Sequence, residues 1–356
     1  MKIEPSKVKS VLVVGLSCIG DTLLSTPALY SLRCFLPRAH FTMAANAQVA
    51  AMLEGDPLWD EIRLYDRGQK DSKYNGWMGR LRAIRDFRAG KYDLIIDLRS
   101  TLIPLLMNCR YRPLWGWREL FLSRRLHEAE RNLNCMSSLG VSLASRNMRL
   151  YVSPAHREMV RRQLAFCRGR LAILNPGGKI FKRWPAESFV ELGKRLEKTG
   201  FQLAVMGYSP DEQSAAAPLL QALPGALDFT GELPMAVSAS RLGEAALYVT
   251  NDCGQLHMAS AMGTPTVAVF GPTDPWRYGP WGMRHQVVSS HGCSRGFCLD
   301  EGAACPVGRD NCLKSVTTDE VWQALQKILG NGARFSSKKK TTVGEENVHE
   351  FPESGS

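Results

Sequence analysis

The chain has 356 residues, of which 44% are hydrophobic and 22% charged, and its formal net charge is +11. This length and apolar content predict two domains, each with its own core. No apolar run approaches the roughly 20 residues of a membrane span, and no signal-like cleavage site follows the N-terminus, so we expect a cytoplasmic rather than a membrane-spanning or secreted protein. Ten cysteines are too dilute for a disulfide framework.

Basic residues are concentrated in the first half of the chain. Residues 1–165 contain 26 Lys and Arg against 15 Asp and Glu, whereas residues 166–356 contain 19 of each class. This asymmetry indicates that the N-terminal half faces an anionic substrate or surface, although a basic face also keeps a fold soluble. No nucleic-acid-binding motif accompanies the charge, so nucleic acid is not an expected partner.

The first half alternates strand-like and helical patterns. The β-branched run Val11–Val14 ends at Gly15 and is followed by apolar residues at helical spacing as far as Leu36. Strands alternating with helices are typical of a parallel sheet. The later strands predicted in this half are His40–Ala44, Ile62–Tyr65 and Leu94–Leu98.

The pattern restarts in the second half and predicts a second doubly wound unit. We therefore expect an α/β protein with domains at 1–165 and 166–330, and a disordered tail at 331–356. Ligands of such sheets bind at the carboxyl ends of the strands, so the cleft between the units is the expected site. The predicted elements are strand Leu171–Asn175, helix Pro185–Thr199, strand Phe201–Met206, a helix from Asp211, strand Ala246–Asn251, helix Gln255–Met262 and strand Thr266–Phe270.

A carboxylate follows the first strand. Gly15 and Gly20 allow a sharp turn, and Asp21 stands at the mouth of the next helix. Asp21 is either a catalytic carboxylate facing the cleft or simply the N-cap of its helix. The segment contains neither Gly-x-Gly-x-x-Gly nor a glycine loop followed by Lys-Ser/Thr. The main sequence evidence for a nicotinamide oxidoreductase or a P-loop kinase is therefore absent.

The segment Asn175-Pro-Gly-Gly-Lys-Ile-Phe-Lys-Arg-Trp-Pro185 suits a phosphate group. The amides of Gly177 and Gly178 and the start of the following helix favour an anion, which a neighbouring cation neutralises. An ordinary exposed loop is the alternative. The candidate cations are Lys179, Lys182 and Arg183.

A third segment, Asn251-Asp-Cys-Gly-Gln-Leu-His257, again places a carboxylate and a glycine between a strand and a helix. We expect Asp252, the amides of Cys253 and Gly254, and His257 to hold a diphosphate. A lone histidine on a helix is more often structural. Glu212 either accepts hydrogen bonds from ribose hydroxyls or supports the first turn of its own helix.

Together these segments resemble the bacterial heptosyltransferases of glycosyltransferase family 9, which build the inner core of lipopolysaccharide. The resemblance covers roughly residues 10 to 325 and implies a GT-B fold, two Rossmann-like doubly wound domains facing each other across a cleft. Its motifs are Ile19-Gly-Asp21 with Thr26-Pro27, Lys182-x-Trp184-Pro185, Asp252-x-Gly254-x-x-His257-x-Ala259 and Phe270-Gly-Pro-Thr-Asp274.

The resemblance also implies roles for individual residues. Asp21 is the expected general base, Lys182 the diphosphate-binding lysine, and Glu212 or Asp211 the ribose contact. Cys253 departs from the family, which usually has Thr or Ser there, so a hydroxyl contact to the donor is missing. The rest of the donor site is expected at Gly177, Gly178, Asp252, Cys253, Gly254 and His257.

The implied reaction is an inverting transfer of heptose from ADP-L-glycero-D-manno-heptose to the lipopolysaccharide inner core. Asp21 deprotonates the acceptor hydroxyl, and Lys182 stabilises the departing diphosphate. No Asp-x-Asp metal motif is present, so the reaction is expected to need neither a metal ion nor a cofactor. Another GT-B transferase with a different nucleotide sugar, or a catalytically silent nucleotide- or glycolipid-binding module, is the alternative.

The basic N-terminal half is then expected to receive an anionic lipopolysaccharide-core acceptor beside Gly20 and Asp21. An acceptor in the inner leaflet implies peripheral association with the inner membrane. For each basic residue, a solvated helix face is the alternative. The candidates are Arg80, Arg82, Arg85, Arg88, Arg110, Arg112, Arg118, Arg124 and Arg125, with Trp115 and Trp117.

Four late cysteines form a separate cluster: Cys293, Cys298, Cys305 and Cys312. Four thiols within twenty residues are enough ligands for Zn²⁺. Their spacing lacks the tight Cys-x-x-Cys pairs of established zinc sites, so a structural metal or a disulfide is only a weak expectation.

Overall fold

A computed structural model of the protein describes residues 2–68, 71–99, 101–113, 126–167, 169–290 and 312–330. The chain divides into two compact units with the boundary between Tyr151 and Val152. The boundary expected after residue 165 differs because helix Pro154–Gln163 packs against helix Met235–Glu244 of the second unit. The expected tail at 331–356 lies outside the described residues.

The first unit contains a four-stranded, all-parallel sheet in the order β3-β2-β1-β4. Val11 of β1 stands opposite Phe41 of β2 on one side and Leu94 of β4 on the other. The strands predicted from the sequence are confirmed. The elements are β1 (Ser10–Val14), α1 (Ile19–Phe35), β2 (His40–Ala45), α2 (Ala47–Met52), β3 (Glu61–Leu64), α3 (Gly76–Ala89), β4 (Leu94–Asp97), α4 (Ile103–Leu106) and α5 (Glu128–Ser138).

The core of the first unit follows from its central strands. β1 is buried from its second residue onwards, and β4 is buried along its whole length. A parallel sheet is covered on both faces, so such strands are continuously apolar rather than alternating. On α1, an unbroken run from Thr22 to Leu32 is buried, and the helix packs against α5.

The second unit contains a six-stranded, all-parallel sheet in the order β10-β9-β8-β5-β6-β7. The predicted strands and helices of this half are confirmed. The elements are α6 (Pro154–Gln163), β5 (Arg170–Asn175), α7 (Ala186–Lys198), β6 (Phe201–Gly207), α8 (Pro210–Ala222), β7 (Leu227–Thr230), α9 (Met235–Glu244), β8 (Leu247–Asn251), α10 (Gly254–Ala261), β9 (Thr266–Phe270), α11 (Pro275–Tyr278), β10 (His285–Ser289) and α12 (Thr318–Leu329).

Both sheets reverse their winding direction at one point. Counted from β7, the second sheet follows the 3-2-1-4-5-6 order of dinucleotide-binding folds, and the first sheet follows the 3-2-1-4 part of it. The reversal lies between β1 and β4 in the first unit and between β5 and β8 in the second. The loops at the carboxyl ends of these strand pairs diverge, which leaves room for a ligand in each unit.

No helix among the described residues combines the length and the apolar character needed to cross a bilayer.

Candidate functional site

Two buried asparagines hold the loops after β5 and β8 together. Asn175 accepts a hydrogen bond from the amide of Gly177 at 2.8 Å. Asn251 donates to the carbonyls of Pro176 at 3.0 Å and Gly177 at 2.9 Å, and accepts from the amide of Trp184 at 3.0 Å. We did not single out these side chains from the sequence, although each is the last residue of a buried strand. The hydrogen bonds of these two asparagines fix the two loops against each other.

Glycine is required where these two loops approach each other. Gly178 has φ +104°, and a Cβ there would lie 3.4 Å from the carbonyl oxygen of Asp252 and 3.4 Å from Cβ of Cys253. A Cβ on Gly177 would lie only 2.8 Å from Oδ1 of Asn175. The backbone of residues 176–178, which we call the glycine loop, therefore lies directly against the start of the β8–α10 segment.

Lys182 and Asp252 form an ion pair at this edge of the sheet. The lysine Nζ lies 2.6 Å from Oδ2 of Asp252, and their side chains are 20% and 9% exposed. Lys182 ends the short 3₁₀ turn Ile180–Lys182, which follows the glycine loop. The structure thus brings together two residues predicted from separate segments. A bound diphosphate can share this ammonium with the carboxylate.

Arg183 supports the loop. Its Nε donates to the carbonyl of Gly178 at 2.8 Å, and its guanidinium pairs with the exposed Asp211. Both residues were candidates for ligand contacts. In the structure they brace the glycine loop against the start of α8.

Glu212 links three segments of the second unit. Its Oε1 accepts from the amide of Gly178 at 3.1 Å, and its Oε2 accepts from the amide of Tyr208 at 2.9 Å and from Nε2 of Gln255 at 3.1 Å. It also forms the capping box of α8 with Ser209. Of the two roles left open, the structure shows support of the helix start. The ribose contact stays a prediction.

Cys253 is the N-cap residue of α10, which begins at Gly254, and its thiol is enclosed by polar groups. Its Sγ lies 3.3 Å from Oγ1 of Thr250 and 3.8 Å from Nδ2 of Asn175. Burial raises the pKa of this thiol to about 12, so it is neutral near pH 7 and is not an activated nucleophile. His257 is buried on the same helix.

In the first unit, Asp21 lies at the carboxyl edge of the sheet. The N-cap of α1 is Cys18, so the interpretation of Asp21 as the N-cap is wrong. Asp21 is the third residue of the helix, and it is half-buried. A carboxylate in the first turn is favoured by the helix dipole.

The sequence analysis did not select two further polar residues that lie at this edge of the sheet. Asp97 is the last residue of β4 and is 1% exposed. Its carboxylate accepts hydrogen bonds from the amides of Arg99 at 3.0 Å and Thr101 at 2.7 Å. Arg99 in turn donates from Nε to the carbonyl of Gly15 at 2.6 Å. Desolvation lowers the pKa of Arg99. The signal in the sequence was a pair of charged residues, Asp97 and Arg99, at the end of a buried apolar strand.

The predicted acceptor residues Arg110 and Arg112 flank Tyr111, which lies beside β4. Tyr111 between them pairs with Leu94, the first residue of β4, and its hydroxyl accepts from the amide of Glu4 at 3.3 Å. Leu94 is about 10 Å along the strand from its carboxyl end. The acceptor role of Arg110 and Arg112 stays a prediction. Arg112 donates to the carbonyl of Met107 at 3.0 Å.

Several predicted residues lie outside the described part of the chain: Trp115, Trp117, Arg118, Arg124, Arg125, Cys293, Cys298 and Cys305. Cys312 is described, and its Sγ lies 2.8 Å from Oγ of Ser290. Among the described residues, no three His, Cys, Asp or Glu side chains are grouped as metal ligands.

The sequence matches a known family over most of its length. The model of glycosyltransferase family 9 (heptosyltransferase) matches residues 80–304. Lipopolysaccharide heptosyltransferase 2 of Salmonella typhimurium is 26% identical over 309 residues, covering 78% of this chain and 87% of that protein. Lipopolysaccharide heptosyltransferase 3 of Escherichia coli is 27% identical over 293 residues, covering 74% and 83%.

Solved structures agree with the fold. A family 9 glycosyltransferase from Veillonella parvula superposes with a TM-score of 0.75 at 23% identity, covering 92% of this chain and 98% of that one. The Escherichia coli heptosyltransferase WaaC with ADP gives a TM-score of 0.68 at 21% identity, covering 90% and 99%. These neighbours confirm the predicted α/β GT-B fold class. The chain belongs to glycosyltransferase family 9, the heptosyltransferases.

Proposed function

We propose that this enzyme transfers heptose from ADP-L-glycero-D-manno-heptose to the inner core of lipopolysaccharide, with inversion and without a metal ion. The observation that carries the proposal is the Lys182–Asp252 pair against the glycine loop at the winding reversal of the second sheet. The relatives named for lipopolysaccharide support the acceptor class. A family structure described with ADP-2-deoxy-2-fluoro heptose supports the donor.

The donor diphosphate belongs at the β5–β8 edge on electrostatic grounds. The side chain of Lys182 is only 20% exposed, and a charge in such a site acts more strongly on a phosphate than in bulk solvent. The first amides of α10 point toward the same edge and favour an anion. Glycine at position 178 leaves the backbone bare for close approach.

The chemical step needs a base and a stabilised leaving group. In our proposal, Asp21 takes the proton of the acceptor hydroxyl while the oxygen forms a bond to the anomeric carbon of heptose. The bond from that carbon to ADP breaks, and the negative charge that develops on the diphosphate is stabilised by Lys182. A single displacement inverts the anomeric centre. Because the lysine supplies the positive charge, no metal ion is assigned.

We also propose that the enzyme works on the cytoplasmic side of the inner membrane and associates with its surface. The acceptor class is lipid-anchored, whereas a nucleotide sugar is water-soluble, so the reaction takes place where the two phases meet. The excess of basic residues in 1–165 favours an anionic surface or acceptor.

The test is to incubate the protein with ADP-heptose and a panel of truncated core glycolipids, with EDTA present, and to measure a mass increase of one heptose. A thermal-shift screen of ADP-, GDP- and UDP-sugars checks the donor. Stabilisation by a UDP-sugar alone contradicts the ADP-linked donor. Donor binding without product on any acceptor supports the silent binding module instead.

Asp21→Asn tests the proposed base. We expect it to bind ADP as the unmodified enzyme does, and to lose about 10²- to 10⁴-fold in kcat, the usual contribution of a general base. Asp71→Asn, at an exposed position of the same unit, is the matched control and should leave kcat unchanged. Near-normal turnover by Asp21→Asn would remove Asp21 from the mechanism.

A further inference from the structure

Helix α3 presents large apolar side chains to solvent. Trp77 is 71% exposed, Met78 53% and Leu81 57%. The buried residues of this 14-residue helix are Gly79, Ala83 and Phe87, a single stripe at four-residue spacing. The helix is therefore attached to the unit by a narrow face, and its remaining surface carries apolar groups that the fold itself does not use.

A second exposed apolar group lies next to it. Leu102, Leu105 and Leu106, at and within α4, are 55%, 49% and 46% exposed. The two helices are joined because Nε of Arg88, near the end of α3, donates to the carbonyl of Leu106 at 2.8 Å. We call residues 76–89 and 102–106 the α3–α4 face. Along α3 it extends about 16 Å from Trp77 to Arg88.

The same helix is strongly basic. Its four arginines, Arg80, Arg82, Arg85 and Arg88, are all exposed, and Asp86 is its one acidic residue. Asp86 is engaged by the Tyr74 hydroxyl at 3.0 Å, by Lys73 at 3.5 Å and by its neighbour Arg85 at 3.5 Å. The negative charge of Asp86 is therefore largely neutralised by its neighbours, and the electrostatic potential on the exposed side of the helix is positive.

This combination selects one kind of partner. Arginines interleaved with exposed Trp, Met and Leu are the composition of helices that lie in the interface of a bilayer. A solvated helix face accounts for the arginines but not for Trp77 at 71% exposure. A second copy of the chain is disfavoured, because it would bring two sets of four arginines together.

We propose that the α3–α4 face is a docking surface for a bilayer that contains anionic phospholipids. Trp77, Met78 and Leu81 enter the boundary between headgroups and acyl chains, and the arginines pair with lipid phosphates. The inference deepens the proposed function and rests on it for its biological setting, because it names the part of the chain that holds an enzyme for a lipid-anchored acceptor at the membrane.

Vesicle binding of the full-length protein tests the proposal. We expect co-sedimentation with vesicles of phosphatidylethanolamine and phosphatidylglycerol, weaker binding to phosphatidylcholine vesicles, and loss of binding as salt increases. Trp77→Ser with Leu81→Ser, and separately Arg80→Glu with Arg82→Glu, should each weaken binding about tenfold or more. Lack of any preference for anionic vesicles overturns the proposal.

Matched controls come from the second unit. Phe166→Ser removes an apolar side chain that is 68% exposed, and Lys194→Glu with Lys198→Glu makes the same charge change on α7. We expect both controls to bind vesicles like the unmodified protein. Equal losses in these controls, or a dimer in solution that Trp77→Ser with Leu81→Ser converts to monomer, would contradict a lipid-docking role for the face.

A soluble acceptor separates this inference from the proposed function. With a delipidated core oligosaccharide, Trp77→Ser with Leu81→Ser should transfer heptose as the unmodified enzyme does, while its activity on vesicle-embedded acceptor falls. If the unmodified enzyme transfers no heptose to either acceptor, the proposed function fails, and the vesicle-binding result still decides the docking surface. Equal activity of the variant on both acceptors contradicts the docking role.

Discussion

At the scale of single residues, the glycine loop after β5 depends on one ion pair and one glycine. Lys182 and Asp252 neutralise each other in a poorly hydrated place, where either charge alone is costly. Gly178 lets the two loops come close enough for this pair to form. The charge pair and the backbone conformation therefore support each other.

Gly178→Ala tests this dependence. Alanine disfavours the φ of +104° at this position, and its Cβ would lie 3.4 Å from the neighbouring loop. We expect the free energy of unfolding to fall by about 1–3 kcal/mol in urea titrations. Gly225→Ala is the control, since the nearest atom to its Cβ is Oε1 of Glu197 at 3.7 Å. Equal stabilities of the two variants would contradict strain at the loop.

At the scale of elements, one tryptophan joins the segment after the glycine loop to the residues just before α12. Trp184 is 1% exposed, contacts Phe189 of α7 at 4.9 Å between ring centroids, and donates from Nε1 to the carbonyl of Val316 at 2.8 Å. Val316 lies just before α12. The tryptophan thus ties the segment after the glycine loop to α7 and to the residues just before α12.

Trp184→Phe removes this donor and keeps most of the ring contact. The buried carbonyl of Val316 is left without its partner, so we expect the free energy of unfolding to fall by about 1–3 kcal/mol. Trp276→Phe, at a position 81% exposed, should change it little. Urea denaturation of both variants checks the difference, and a Trp184→Phe protein as stable as the unmodified one would show that the hydrogen bond is unimportant.

At the scale of the whole molecule, burial of phenols and thiols makes stability sensitive to alkaline pH. Burial raises the pKa of Tyr65, Tyr92 and Tyr248, and raises that of Cys253 from 9.0 to about 12. As pH rises above 9, the unfolded chain loses these protons first, so it binds fewer protons than the folded chain does. The free energy of unfolding must then fall with rising pH.

We therefore expect lower stability at pH 11 than at pH 8 in urea titrations, with a slope of up to about 1.4 kcal/mol per pH unit for each group. Because serine does not titrate here, Cys253→Ser should show a shallower fall. Equal stability at the two pH values would show that these groups ionise alike in both states.

The fold was predictable where a strand is marked by a continuous run of apolar residues. β1, β5, β8 and β9 are buried on both faces and read as short apolar runs, and the glycines after them mark the turns. The edge strands β7 and β10 were missed because they are only partly buried, so their apolar pattern is weak. The unit to which α6 belongs could not be read from the sequence, since its single buried residue, Val160, does not say which unit it packs on.

The site divides in the same way. The sequence alone was enough to select four candidate site residues, because each follows a strand in a motif whose chemistry is local. They are Asp21, Lys182, Gly178 and Asp252. That Lys182 pairs with Asp252, that Glu212 is occupied by backbone amides, and that Arg99 is anchored at Gly15 depended on the tertiary structure. These contacts join residues from 34 to 84 positions apart. Local sequence carries the periodicity and the turn chemistry, whereas only strand order decides which carboxyl ends become neighbours.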